Sequence, residues 1–539
     1  MNKKIIGTLV ICAVILTISG CRGKKTGDET DARDVPQSIT FTGYPMDAMD
    51  QTISWFASQG YLPNPVYPNA DRSPFHQWLQ EMLGVRIQWQ FPIAGTLPAQ
   101  ALNLVLASRV LPDILYGDTM AQAERYIEEG TFRDLTPYLE EWSPAYWAWL
   151  QSNPAYDRAM KTDSGKYYGY GFFREDGGWN ETFLGPVVNK AWLDECGLPM
   201  PVTISDWDRA LRVFNERYGA VLSFAWVRVS GYGTGISGAW GAYSFADYRL
   251  YIDKNQQVQL ANIQPEYRNQ LEQFAQWWRD GLIDQDFLSI NDTIARSNAM
   301  NKKMGISITS MGQLTNWIQD ARAQNTGAEW VGLQYPTGDD GTLVQVSGGY
   351  GIGTNAAVIT TSCPPEKLEL VMRALDFAYT PEGHLFWNYG KQGVSWDYDP
   401  DGEPAYLPLV TNDPDGLNNA IDKYGGTTWN GNAIQSTALI HMKNSPEAIA
   451  ANDLWFYPNQ DITYPDKLPN GMTLTADESI RAGELRASIA TYVNEAAVRF
   501  ITGQANFNTW DSYVSRVNAM GAPELLRIYQ AAYDRYLAR

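Results

Sequence analysis

The stretch from Ser73 to Gly117 constrains the fold more than any other part of the chain, because its apolar residues switch between helical and strand periodicity. "SPFHQWLQEMLG" reads as a helix, with Ser73 as N-cap, Pro74 in the first turn and Gly84 just past the end. Phe75, Trp78, Leu79 and Met82 recur at i, i+3, i+4 and i+7 and build one apolar face. "VRIQWQF" then alternates Val85, Ile87, Trp89 and Phe91 at period two, the mark of a strand. A second helix runs through "LPAQALNLVLASR", and "PDILYG" reads as the next buried strand. Upstream, Ile39 and Phe41 mark a short strand. Strands joined through helices cannot pair as hairpins, so the segment predicts parallel pairing and an α/β lobe.

Later segments keep this style. "SDWDRALRVFNERY" predicts a helix with a capping-box-like Ser205 and Asp208, and with Trp207, Ala210, Leu211, Phe214 and Tyr218 on one face. "PEYRNQLEQFAQWWRDG" places Tyr267, Leu271, Phe274, Ala275 and Trp278 on a stripe that stops at Gly281. "PPEKLELVMRALDFAYTPEG" and "APELLRIYQAAYDRYLA" add helices with Pro near their starts. Such stripes are core packing. A chain of 539 residues exceeds one ordinary domain of about 100–200, so at least two lobes are expected.

The motifs that could carry catalysis are weak. "GTGISG" satisfies G-x-G-x-x-G with Gly233, Gly235 and Gly238, but no helix start follows to receive a phosphate. "DYDPDG" (Asp397 to Gly402) imitates the first half of a calcium loop, yet position twelve is Pro408 where a bidentate Glu is required, so a hairpin turn is the better reading. The three histidines, His76, His384 and His441, are far apart and no paired Cys spacing occurs, which argues against zinc. No metal and no cofactor are expected.

Charge narrows the partners. Asp and Glu total 60 against 41 Lys and Arg, and the formal net charge is −19. A chain this acidic repels phosphates, so nucleic acid is excluded as a partner.

Aromatic residues say more. Twenty Trp outnumber 18 Phe and 14 Met, and many stand among Gly, Asn and Asp, where cores are seldom built. They include Trp179 in "DGGWNETF", Trp240 and Tyr243 in "SGAWGAYSF", Trp396 in "KQGVSWDYD" and Trp429 in "TTWNGN". Sugars present flat C–H faces to aromatic rings and hydroxyls to polar side chains, so a groove lined by such loops suits an oligosaccharide. On this reading Trp179→Ala weakens sugar binding without unfolding the protein, although local loop packing explains any single loop Trp equally well.

The N-terminus carries an address. Lys3 and Lys4 precede an apolar run from Ile5 to Ile18, too short to span a bilayer, so a secretory signal is expected. Its end, "ISGC", resembles a bacterial lipobox, which implies a signal peptide over residues 1–20 and lipidation of Cys21. Two acyl chains at about 0.8 kcal/mol per buried CH₂ hold a protein on a membrane face. Residues 21–37 continue as a charged segment with almost no apolar residues, a flexible tether. Loss of the signal removes Lys3, Lys4 and Cys12, leaving 39 basic against 60 acidic residues, a net of −21. Cys196 and Cys363 then remain to be paired or free, and two free, buried thiols are the preferred reading.

The order "ASRVLPDILYGD", "EEGTFRDLTPYLEEWSP", "SGKYYGYGF" and "VVNKAWLDECGLPMPVTISDWDRAL" resembles the family 1 extracellular solute-binding proteins of bacterial ABC importers. "KKMGISITSM", "GGYGIGTNAA" and "ALDFAYTPEGHLFWNYGKQGVSW" continue the resemblance over nearly the whole mature chain. It implies a two-lobed periplasmic-binding-protein-like (type II) α/β fold with hinge crossovers, residues 38–169 and 347–395 forming one lobe and 170–346 and 396–539 the other. By position it implies cleft residues Tyr116, Asp118, Arg174, Glu175, Trp179 and Asn180, with Trp240, Tyr243 and Met311 from the second lobe and Trp396 and Trp429 from distal loops. The calcium loop of large relatives is not carried over, because "GAVLSFAWV" directly follows the corresponding helix. The implied partners are an oligosaccharide and the ABC permease subunits, and the implied state is a monomer anchored to the cell membrane on its extracytoplasmic side. Two alternatives stand beside this reading. A secreted glycoside hydrolase would use paired carboxylates, with Glu175 or Asp118 as candidates; an outer-membrane sugar-capturing lipoprotein would be almost entirely helical.

Overall fold

The computed structural model describes residues 41–58, 70–93, 95–108, 110–175, 179, 182–223, 236–287, 289–344, 352–426, 431–459 and 467–539. The signal peptide, Cys21, the tether, Asn180, Trp429, Gly233 and Gly235 lie outside the described residues. No helix among the described residues is long and apolar enough to cross a membrane.

Two sheets organise the molecule. Their strands are β1 (Ala48–Ala57), β2 (Val85–Gln90), β3 (Ile114–Gly117), β4 (Tyr170–Arg174), β5 (Leu184–Asn189), β6 (Val221–Ser223), β7 (Met304–Ser310), β8 (Trp330–Gly332), β9 (Ile352–Ile359) and β10 (Ile434–Gln435). The first sheet has the order β10-β4-β9-β3-β1-β2 and the second β8-β5-β7-β6. β1 runs parallel to β2 and β3, as the strand-helix alternation requires, whereas β9 enters antiparallel between β3 and β4. In the second sheet β5 is antiparallel to β7 and β8, and β6 is parallel to β7. Two sheets of this size exclude the all-helical alternative.

Phe41 is not in a strand, Ile39 lies outside the described residues, and the first strand described is β1. It lies at Ala48–Ala57, where Ile53, Trp55, Phe56 and Ala57 are buried in succession, as a parallel strand covered on both faces demands. Phe41 instead lies under the guanidinium of Arg373 at 4.4 Å. The helix Pro74–Leu83 forms as expected and buries Phe75, Leu79 and Leu83 on the first sheet. It ends at Gly84 in the left-handed region (φ 69°), where a Cβ would stand 2.7 Å from the Met46 nitrogen, so only glycine fits. The helix Ile204–Tyr218 starts one residue before Ser205: Thr203 and Asp206 form its capping box, and Ser205 donates to Asp339 at 2.6 Å. On the helix Pro265–Arg279 Trp277 is buried, and Trp278 only partly so.

The second sheet is covered on both sides. The helices Ile204–Tyr218 and Pro265–Arg279, with the C-terminal helices Ala476–Ile501, Trp510–Ala519 and Ala522–Leu537, share one core; Met311–Ala323 and Pro446–Phe456 share another with Trp179. The lobe boundaries expected at 170 and 396 do not match the strand pairing. Tyr170–Arg174 completes its ladder with β9 before the chain leaves the first sheet. The described residues between Trp396 and Leu439 also stay with that sheet: Trp396, Val410, Ile421 and Tyr424 form a cluster reaching Trp78, and β10 pairs with β4. The "DYDPDG" turn closes a hairpin between Trp396–Tyr398 and Pro404–Tyr406. Cys196 and Cys363 are both free; Cys363 is buried, Cys196 only partly so.

Candidate functional site

Strand directions locate the site. The chain leaves the first sheet at the carboxyl end of β4, and Ile352 at the start of β9 pairs with Phe173 there. β3 is antiparallel to β9, so its carboxyl end at Gly117 lies on the same side. In the second sheet the chain enters at Leu184, opposite Ser310 at the end of β7, and β6 ends on that side as well. The carboxyl ends of β3, β4, β6 and β7 therefore face the passage between the sheets, the usual place for ligands in α/β proteins.

Asp118 follows β3 directly. Its side chain is exposed at one edge, yet it is crowded enough by protein that dehydration raises its pKa, opposed by the positive charge of Arg486. Arg486 sits on the long helix Ala476–Ile501, a second-lobe element, and its guanidinium lies 6.0 Å from the ring of Tyr248. The amide of Leu474, just before that helix, donates to the carbonyl of Ala121 at 3.4 Å and holds the helix close to the end of β3. Tyr116, two residues back on β3, is a packing residue. It is fully buried, and its hydroxyl accepts from the Gly431 amide at 2.8 Å, so it ties two backbone segments together and does not face a ligand.

Beyond β6, the turn Ser237–Trp240 and the small hairpin Leu250–Ile252/Val258–Leu260 enclose a pocket of about 460 Å³. Trp240 is held edge-on by Phe274 and Trp277, with ring centroids 5.5 and 6.3 Å away. Tyr243 stacks on Tyr251 at 4.0 Å with an interplanar angle of 10°. The same pocket is lined by Asp253, Asn255, Gln264 and Glu266. Aromatic faces beside carboxylates and carboxamides are the surfaces a sugar needs, in a volume within the range of small-ligand sites.

The remaining expected site residues are distributed differently. The Arg174 guanidinium packs against Phe172 and Phe183, 6.0 and 5.7 Å from their rings. A Glu175 carboxylate oxygen accepts from the Thr437 amide at 2.9 Å, fixing the start of the helix Thr437–Lys443 beside the exit of β4. Trp179 is 6% exposed; its indole donates to Asp453 at 2.8 Å and meets His441 edge-on at 4.8 Å. Met311 is buried under the second sheet, and Trp396 is buried with its indole donating to the Gly390 carbonyl at 2.9 Å. Thus Trp240 and Tyr243 share a pocket and Asp118 stands at the passage, while Tyr116, Trp179, Met311 and Trp396 are packing residues. Tyr251, which lines the pocket, carries no mark of its role in the sequence around it. The alternation of "LYIDKNQQVQL" could have signalled the hairpin that carries Tyr251.

No family model matches the chain. A fructooligosaccharide ABC transporter substrate-binding protein, FusA of Streptococcus pneumoniae serotype 4, is 22% identical over 563 residues, covering 98% of each chain. The chain is a homologue of ABC transporter substrate-binding proteins. Its structure carries their fold: FusA in complex with kestose superposes with a TM-score of 0.71 at 19% identity, over 90% of this chain and all of that one. The alginate-binding protein AlgQ2 without calcium ion gives a TM-score of 0.76 at 21% identity, over 92% of this chain and 100% of AlgQ2. Lipoprotein LipO of Bacillus subtilis is 24% identical over 358 residues, 62% of this chain and 66% of LipO.

Proposed function

We propose that this substrate-binding protein captures an oligosaccharide between its two sheets and delivers it unchanged to the permease of an ABC importer. The observation that carries the proposal is the pocket in which Trp240 and the stacked Tyr243 and Tyr251 stand beside Asp253, Asn255, Gln264 and Glu266. Ligand held by loops of both sheets favours the closed arrangement over the open one, and that difference drives a hinge movement about the segments between the sheets. The ligands for which the relatives are named, a fructooligosaccharide and alginate, support a carbohydrate over other solutes. Permease docking, a monomeric state and anchoring through an acylated Cys21 belong to the same proposal; the lipoprotein name of LipO supports the anchor. The hydrolase alternative is set aside: the homologues are substrate-binding proteins, which make and break no bond, and Glu175 is engaged with the Thr437 amide.

The test is a thermal-shift screen of the full chain in a sugar-free detergent against fructo-, malto-, xylo- and cello-oligosaccharides, with each sugar recovered and sized. A rise in Tm with intact sugar is expected, because a ligand that binds only the folded form stabilises it by mass action. Tyr243→Ala should then weaken the hit about tenfold, the size of one aromatic contact of about 1–1.5 kcal/mol. A shortened sugar, or no shift with any sugar, refutes the proposal.

A further inference from the structure

A second cavity, of about 350 Å³, lies where elements of the two lobes meet. On one side is the second-lobe helix Met311–Ala323, which begins directly after β7 and contributes Asn316 and Gln319. On the other is the start of the helix Leu417–Tyr424, which contributes Asn418 and whose Ala420 and Ile421 belong to the cluster beside the first sheet. The crossover at Met442–Ser445 completes the lining and is fixed where the Ser445 amide donates to the Thr315 hydroxyl at 3.0 Å. Asn316 and Gln319 make no hydrogen bond with any described residue, and the buried Oδ1 of Asn418 accepts none. The charged residues of the lining are already matched: Arg296 by Asp320, Lys443 by Asp422 at 3.0 Å and Asp415 by Lys423 at 2.6 Å. No aromatic side chain among the described residues lines the cavity.

We infer that this cavity is a second subsite for the oligosaccharide, in which Asn316, Gln319 and Asn418 hold one uncharged sugar unit by hydrogen bonds from both lobes. The inference rests on the receptor reading above and adds a subsite separate from the aromatic pocket. A carboxamide offers both donors and an acceptor, and so does every sugar hydroxyl, so amides on two sides of a cavity satisfy the edge of a sugar ring. The terminal torsion of an asparagine is broad, so the Asn418 carboxamide turns to meet a hydroxyl at little cost. The volume lies within the range of small-ligand sites. A carboxylate or ammonium group entering the cavity would lose water and gain no free counter-charge, whereas a neutral unit escapes that cost. The aromatic pocket thus takes a sugar by its face and this cavity takes one by its edge. Since the amides belong to different lobes, a unit that bridges them binds best to the arrangement in which the lobes meet.

The test measures affinity by calorimetry for the full chain in a sugar-free detergent, with kestose, maltotriose, xylotriose, cellotriose and the hexasaccharide of each series as probes. For the probe that binds wild type most tightly, Asn316→Leu and Asn418→Leu should each weaken binding about tenfold, the scale of one or two lost hydrogen bonds. The double variant should weaken it by less than the product of the two, because both amides hold the same unit. Without sugar, Asn418→Leu should melt no lower than wild type, because it removes a buried oxygen that has no partner. A residue that serves packing alone would lose stability on the same change. Unchanged affinity in either single variant, or weaker binding accompanied by a lower sugar-free Tm of Asn418→Leu, overturns the subsite and leaves the receptor standing. Failure of every sugar to bind wild type overturns the receptor and the subsite together.

Discussion

Trp179 separates a packing role from a ligand-contact role. Its ring is 6% exposed, its indole donates to Asp453, and its carbonyl accepts from the buried Asn452 side chain at 3.0 Å. Both partners lie on Pro446–Phe456, the helix whose Trp455 donates to the carbonyls of Pro186 and Leu333 and so clasps β5 and the end of β8. The residue therefore fastens the segment entering the second sheet to the helix that covers it. Truncating a buried tryptophan removes its contacts and leaves a cavity, a loss of about 3–5 kcal/mol, so Trp179→Ala should lower the urea midpoint strongly. Trp179→Phe keeps most of the ring and loses the hydrogen bond to the Asp453 carboxylate, for about 1.5–3 kcal/mol. Unfolding followed by circular dichroism gives the stability order, and calorimetry below each transition gives the affinity. Midpoints should fall from wild type to Phe to Ala, with affinity of the folded protein changed less than about threefold, since the ring faces protein and not the passage. A Trp179→Ala protein as stable as wild type but unable to bind sugar would refute this reasoning and restore the ligand contact that the loop composition suggested.

Two further outcomes follow from buried titratable groups. Asp376 is buried, and loss of hydration pushes its pKa up to about 6, although the amides of Tyr146 and Ala145 donate to it. The folded state thus holds this proton more tightly than the unfolded chain. Its contribution to stability is present below about pH 4 and is lost as pH rises through 6. Urea midpoints of wild type should fall relative to Asp376→Asn across that window, by an amount on the order of 2–3 kcal/mol, and parallel pH profiles would contradict the assignment. Burial, aided by Asp113, pushes the Cys363 thiol up to about 12, whereas Cys196 is partly open beside Tyr218. A pulse of iodoacetamide on the folded protein, read by peptide mapping, should label Cys196 and spare Cys363 until denaturant is added; equal labelling would place Cys363 at the surface.

Local chemistry made much of the scaffold legible. The helix Pro74–Leu83, the strands β2 and β3, and the hairpin around Asp397 to Gly402 were readable because each is fixed by near neighbours in sequence. β1 was missed because a strand buried on both faces shows a nearly continuous apolar run, "TISWFA", instead of alternation. The aromatic loops were half legible. Composition marked Trp179, Trp240, Tyr243 and Trp396 alike as ligand contacts, but the side each ring faces is settled by a partner far along the chain: Asp453 for Trp179, Tyr251 for Tyr243, Gly390 for Trp396.

The insertion of β9 between β3 and β4 sets the order in which the molecule can be built. Until Ile352–Ile359 is available, β3 and β4 have no partner between them, and β4 gains its outer neighbour only at Ile434–Gln435. A growing chain therefore makes the second sheet, whose strands all lie between Leu184 and Gly332, before it can finish the first. Non-local pairing of this kind is slow, because the loop must close before any contact rewards it. A product cut short before Ile352 would also present unpaired strand edges, the surfaces through which incomplete sheets aggregate. The N-terminal half alone is thus a poor candidate for an independently folding fragment, despite holding most strands of its own sheet.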